Sequence, residues 1–317
     1  MRAIALAALV AGIGTAWAGQ ARAEEAFVTN QLSENLSVVD LATARPVATI
    51  AIAGKPAGIA VTPDGRFAYV TSPDTKALTV VDAAARRIVG KIDVGGGPLG
   101  VAVAPDGATV YVADWYAAAV RVIDPQAQRV IADIAVGASP SGLAVTPDGR
   151  LLLSADRDAD SVSVIDTATR KRRATIKVGE RPFGMTIDAD GRRAYTANVG
   201  SNDVSVIDIA DNSEIGRVKT GLRPYAVALA QGRGFVTDQY GGTVSVFDLA
   251  TLKPVKRINV GDYPEGINVT ADGKRVIVAC WESNTLSIID ATDLKVIGEI
   301  KTGDGPRAFG AFLRRTE

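Results

Sequence analysis

The sequence repeats itself every 42 residues. An aspartate closes each alternating apolar run, at Asp40, Asp82, Asp124, Asp166, Asp208, Asp248 and Asp290, and the spacing is 42 throughout except for 40 between Asp208 and Asp248. A proline keeps the same rhythm at Pro56, Pro98, Pro140, Pro182, Pro224, Pro264 and Pro306. Two independent markers therefore agree on seven units and on one two-residue deletion. A period near 40 residues means that each unit is one supersecondary element, unable to bury its apolar face alone.

Within a unit the pattern is strand, turn, strand. The fifth reads RAYTAN, a polar loop, DVSVIDIA, a turn, EIGRVKTG, then RPYAVALA. Val-Ser-Val-Ile alternates with period two and β-branched residues dominate, so these segments are strands. Pro-Asp-Gly or Ala-Asp-Gly at 63–65, 105–107, 147–149, 189–191 and 271–273 supplies tight turns, with glycine accepting a positive φ. No stretch between strands is long enough for a crossover helix, which excludes βαβ units. The pattern predicts an all-β chain: a seven-bladed β-propeller of four-stranded antiparallel blades. Ala26–Asn30 corresponds to the second strand of a unit and Pro306–Leu313 to the first. The C-terminal strand is therefore expected to join the N-terminal blade and close the ring, removing open edges.

Composition narrows the chemistry. The 317 residues contain 35 Lys+Arg, 35 Asp+Glu, no His and one Cys. Without histidine there is no Ser-His-Asp or Cys-His catalysis and no His-ligated metal. Balanced charge supplies no electrostatic pull toward nucleic acid. Met1-Arg2, an apolar run over 3–16 and the small-residue pattern Ala21-Arg22-Ala23 have the layout of a secretory signal peptide, with cleavage expected after Ala23. Residues 1–23 are thus read as a leader and 24–317 as one propeller, exported to the periplasm without membrane insertion. Cys280 stands alone, so no intramolecular disulfide can form, and a buried apolar role is expected for it.

The runs AFVTN (26–30), AYVTS (68–72), VYVAD (110–114) and AYTAN (194–198), each followed by an SVSVID-like strand and a VGxxP step, resemble the YVTN-family β-propeller repeat. The likeness spans essentially all of 26–317. It implies an exported bacterial propeller, similar in architecture to the propeller subunits of quinoprotein amine dehydrogenases, and an association with a quinoprotein dehydrogenase system. A nucleic-acid-binding role has been suggested for a relative. The resemblance carries no catalytic motif.

Repetition separates scaffold from site. The seven aspartates read as turn devices that accept backbone N–H groups. The loop entering the first strand of a blade and the loop leaving the second open on one face, around one mouth of the central channel. Scarce aromatics collect there: Trp115 and Trp281 share one loop position, and Tyr116 and Tyr240 share the next. With Arg181, Arg223, Tyr225 and Arg307 they form the candidate site for a periplasmic protein partner or a small anionic ligand. No cofactor is expected. A divalent cation would need Asp114, Asp156, Asp238 and Glu265 to converge on the mouth.

Three functions are open on these residues. The first is a non-catalytic binding or scaffold protein. The second is a metal-assisted hydrolase or lyase using the four carboxylates. The third is single-stranded nucleic-acid binding by aromatic stacking, against which the balanced charge argues.

Overall fold

The computed structural model describes residues 24–315, which form seven four-stranded blades around a central axis. The leader assigned to residues 1–23 lies outside the described residues. No helix among the described residues is long and apolar enough to cross a membrane.

In chain order the inner strands of blades 3 to 7 are Pro98–Val103, Pro140–Val145, Pro182–Ile187, Pro224–Ala230 and Pro264–Val269. Each pairs antiparallel with the next strand of its own blade, beginning with the repeated proline opposite the last residue of that strand, as in Pro98 with Asp114. The third strand of every blade carries one register slip against the fourth, from Val38/Val39 in blade 1 to Ile288/Ile289 in blade 7. A bulge at the same place in each unit strengthens the twist that lets the blades fan out.

All seven repeated aspartates do what their position predicts. Asp40 Oδ1 accepts the N–H groups of Ala42 and Thr43 at 2.8 and 2.9 Å, and Asp82, Asp124, Asp166, Asp208, Asp248 and Asp290 accept equivalent bonds. The core lies between blades rather than within them. Ala60, Tyr69 and Leu78 of blade 2, for example, pack against Val101, Val110 and Ile123 of blade 3.

Closure follows the expected route with one difference. Leu313–Arg315 pairs with Glu24–Ala26 and completes blade 1, and Pro306 forms a bridge with Asn30. Between these points Phe309–Ala311 leaves blade 1 and pairs in parallel with Gly58–Ala60 of blade 2, giving that blade a fifth strand. Close approach allows this: a Cβ on Gly310, whose φ is +126°, would overlap the Ile59 carbonyl oxygen. The segment is latched by Asn268, whose Nδ2 donates to the Gly310 carbonyl at 3.0 Å and whose Oδ1 accepts the Phe312 N–H at 2.8 Å.

Candidate functional site at the channel mouth

Two structural rings build the mouth. The first comes from a Pro-x-Gly step that opens the inner strands. Gly58, Gly100, Gly142, Gly184 and Gly266 follow the repeated proline by two residues, and a Cβ on any of them would overlap a backbone carbonyl of the next blade. Ala226 and Ala308 take this place in blades 6 and 1. In blades 3 to 7 the register slips at this step, and such a bulge re-aims a side chain. The intervening residue differs in every blade, and Phe183, Tyr225, Glu265 and Arg307 all reach the mouth.

The second ring is the residue that follows each second strand. Its N–H donates to the carbonyl of the residue preceding the proline: Trp115 to Gly97 at 2.9 Å, Arg157 to Ser139 at 3.1 Å, Gln239 to Arg223 at 3.0 Å and Trp281 to Tyr263 at 2.9 Å. These repeated bonds hold six different side chains, from Gln31 to Trp281, over one opening.

Together the rings enclose a pocket of about 400 Å³. Its floor is aromatic. Phe183 of blade 5 lies 5.0 Å from Phe309 of the closing segment that pairs with blade 2, and 4.5 Å from Tyr225 of blade 6, centroid to centroid, so rings from non-adjacent blades meet across the axis. Phe309 in turn lines the channel beyond, beside Gly100 and Ala226. The walls are two aromatic groups. Trp115 packs 6.4 Å from Phe183, and Trp281 packs 5.8 Å from Tyr263, which is 5.5 Å from Tyr240.

One polar chain runs along the wall formed by blades 6, 7 and 1. Arg223 Nε donates to Gln239 Oε1 at 2.6 Å, and Gln239 Nε2 donates to Glu265 Oε1 at 2.6 Å. Glu265 Oε2 accepts Arg307 Nε at 2.7 Å, and Arg307 also donates to the Tyr225 hydroxyl. Burial pushes the Glu265 carboxyl above its ordinary range, with Arg307 and Gln239 opposing it. Burial likewise raises the Tyr225 phenol, which stays neutral. Burial would lower Arg307, but the Glu265 charge more than offsets this and its guanidinium is held charged.

Of the residues expected from sequence, Trp115, Arg223, Tyr225, Trp281 and Arg307 line the pocket. Tyr116, Tyr240 and Arg181 do not. Tyr116 is 82% exposed and lies over bare Gly97, whose Cβ, if present, would strike the ring. Tyr240, 57% exposed, sits outside the rim, with the Arg223 guanidinium 4.8 Å over its ring. Arg181 occupies in blade 5 the place of Arg223 in blade 6. It meets Val199 where Arg223 meets Gln239, and Gly200 where Arg223 meets Tyr240, so nothing folds it inward and it stays exposed.

Of the four carboxylates a divalent cation would require, Glu265 lines the mouth and the three aspartates do not. Asp114 is buried within blade 3, paired with Arg121 at 2.6 Å and bonded to the Gly97 N–H at 3.0 Å. Burial acts to raise its carboxyl, but these bonds prevail and hold it below the usual range. Asp156 accepts Gly137 N–H, Ser154 and Ser163, while Asp238 accepts Gly221 N–H, Thr243 and Ser245. Each aspartate staples its own blade, and no group of three or more potential metal ligands forms among the described residues. Cys280 takes the same position in blade 7, fully buried, with its thiol pushed up to about 11.

Arg157, Phe183, Gln239 and Tyr263 also line the pocket and are absent from the sequence-derived site. Their signal was positional: Phe183 belongs to the first ring, Arg157 and Gln239 to the second, and Tyr263 stands just before the repeated proline, the place Arg223 takes in blade 6.

The sequence profile of the YNCE-like β-propeller family matches residues 9–105 and 151–312. No curated protein matches the chain in sequence. Among solved structures, hydrazine synthase of Kuenenia stuttgartiensis superposes with a TM-score of 0.73 at 23% identity, covering 80% of this chain and 89% of that one. A functionally unknown protein from Desulfotomaculum acetoxidans gives 0.77 at 18%, covering 92% and 100%. The dihydro-heme d1 dehydrogenase NirN, in complex with DHE, gives 0.68 at 17%, covering 93% and 75%. At these identities the likeness is one of fold.

Proposed function

Since this chain belongs to the YNCE-like β-propeller family, we propose that it is an exported, non-catalytic binding protein that presents its channel mouth to a periplasmic partner or small anionic ligand. The observation that carries this reading is the pocket of about 400 Å³, walled by aromatics and bordered by arginines. Concave, largely apolar sites with a few convergent polar groups are where ligands bind. The surrounding ring is stapled by repeated backbone bonds, which suits a rigid platform. Export rests on the leader at residues 1–23, and association with a quinoprotein dehydrogenase system rests on the family resemblance.

Binding is favoured over hydrolysis because the lining carboxylate, Glu265, is already engaged by Arg307 and Gln239. Each Glu265 oxygen accepts one of these bonds, and among the described residues no second carboxylate lines the pocket to share acid–base work.

The test is capture from periplasmic extract by the wild-type chain and by a Trp115→Ala/Trp281→Ala/Arg223→Ala variant that retains the wild-type circular dichroism. Proteins and small molecules held by the first and released by the second support the proposal. Identical retention would move the interface away from the mouth, and catalytic turnover of a captured small molecule would replace binding by catalysis.

A further inference from the structure

We infer that the ligand of the mouth is a flat aromatic molecule carrying one anionic group, carboxylate or sulfonate, with that group seated on the guanidinium of Arg223. The inference rests on the reading of the mouth as a binding site and specifies what it binds.

Charge accounting identifies the subsite. Three arginines line the pocket. Arg157 is paired with Asp158 at 2.6 Å and Arg307 with Glu265 at 2.7 Å. Arg223 has no carboxylate within ion-pair distance among the described residues. Its Nε is taken by Gln239, which leaves both terminal nitrogens without a protein acceptor. A half-buried guanidinium without a counter-ion is unfavourable, and one anion relieves it. The two free N–H groups of a planar fork match the two oxygens of a carboxylate or sulfonate.

The fork is also held in place. Gln239 gives its carbonyl to Arg223 and its amide to Glu265, so the amide cannot turn without breaking both bonds. Tyr240 supports the guanidinium face from outside, 4.8 Å away. The Arg223 backbone has a φ of +57°, and its N–H is capped by Asn202 Oδ1 at 2.7 Å. Arg223 is therefore pre-organised before a ligand arrives, which lowers the ordering cost of binding.

The remainder of the pocket selects shape. Trp115 with Phe183 and Trp281 with Tyr263 offer aromatic faces, and the Phe183–Tyr225–Phe309 cluster forms the floor. The volume of about 400 Å³ lies in the range of small-molecule sites. Among the described residues the tryptophans are Trp115 and Trp281, both at the pocket, so indole emission reports on its occupancy.

The test titrates the mature protein with 2-naphthoate and with its neutral isostere 2-naphthamide, followed by tryptophan emission and by calorimetry. The wild type is expected to bind the naphthoate roughly tenfold or more tightly than the amide, the worth of one hydrogen-bonded charge. Arg223→Met should abolish that preference, Arg223→Lys should keep part of it, and Trp281→Ala should weaken both ligands. Equal affinity of the wild type for the two ligands, or binding of neither, overturns the inference whatever the variants do. So does a preference that survives Arg223→Met. If both ligands fail while capture still depends on the mouth, the ligand class is wrong and the binding platform stands.

Discussion

Arg307 donates to Oε2 of Glu265 across 2.7 Å, and the pair joins the C-terminal segment to blade 7 inside the mouth. Among the described residues neither charge has another opposite charge within ion-pair distance, so each depends on the other. Removing one partner strands a buried charge, which costs far more than the net worth of the pair.

Arg307→Met should therefore destabilise the protein by about 3 kcal/mol in urea unfolding at neutral pH. Glu265→Gln in the same chain should recover much of the loss. The deficit should also grow with pH. The Glu265 pKa is raised by burial, so its contribution is fully present below the unfolded value and falls as pH rises through the folded one. Removing the opposing guanidinium widens that window. A deficit equal at pH 5 and pH 8 would show that the carboxylate is relieved by some other group.

Ring closure depends on Asn268, which bonds the main chain at both Gly310 and Phe312. Asn268→Ala should cost about 1 kcal/mol, the loss of one part-buried and one exposed bond to the main chain, seen as a lower urea midpoint with unchanged slope. Deleting residues 306–317 should remove the cooperative transition altogether, because blade 1 loses its inner strand and the edges of blades 1 and 2 are exposed. A truncated chain that melts cooperatively near the intact protein would refute closure by this strand.

The Pro-x-Gly step tolerates little. A methyl on Gly100 would overlap the Ser141 carbonyl oxygen, which belongs to the backbone of the next blade. Gly100→Ala should destabilise by about 3 kcal/mol or more. Ala226→Gly, at the same place in blade 6, should cost only about 1 kcal/mol. Thermal unfolding of the two variants side by side checks the asymmetry.

Asp156 is buried among hydrogen-bond donors with no cation in contact, and burial pushes its carboxyl upward. Asn198 fills the same position in blade 5, where its amide bonds Asp203 and Ser205. Asp156→Asn should leave stability within about 1 kcal/mol of wild type at neutral pH. A raised folded pKa means that the wild type loses stability as pH rises from the unfolded carboxylate value through the folded one. The variant should gain on the wild type over that interval, and parallel pH profiles would contradict the burial argument.

The number of blades, their boundaries and the turns between them were legible because they are repeated. A residue needed in every unit, such as Asp40 or Pro98, announces itself by its period. The site was legible in part, because Trp115, Arg223, Tyr225, Trp281 and Arg307 stand at variable positions with unusual residue types. Phe183 and Tyr263 were harder to single out: an aromatic at one variable position reads as core until its neighbour across the axis is known. Arg181 and Arg223 look equivalent in the sequence, yet only Arg223 turns inward, because Gln239 and Tyr240 stand where the adjacent blade has Val199 and Gly200.

The sequence by itself determined the architecture, since period-two alternation, turn residues and a 42-residue repeat act locally and agree in all seven units. The tertiary structure decided which side chains share a pocket. Phe183 meets Phe309, and Arg307 meets Tyr225, at sequence separations no local rule reaches. It also split the closing strand between blades 1 and 2, because inner strands crowd the axis so closely that the chain at Gly310 bonds the neighbouring blade as readily as its own.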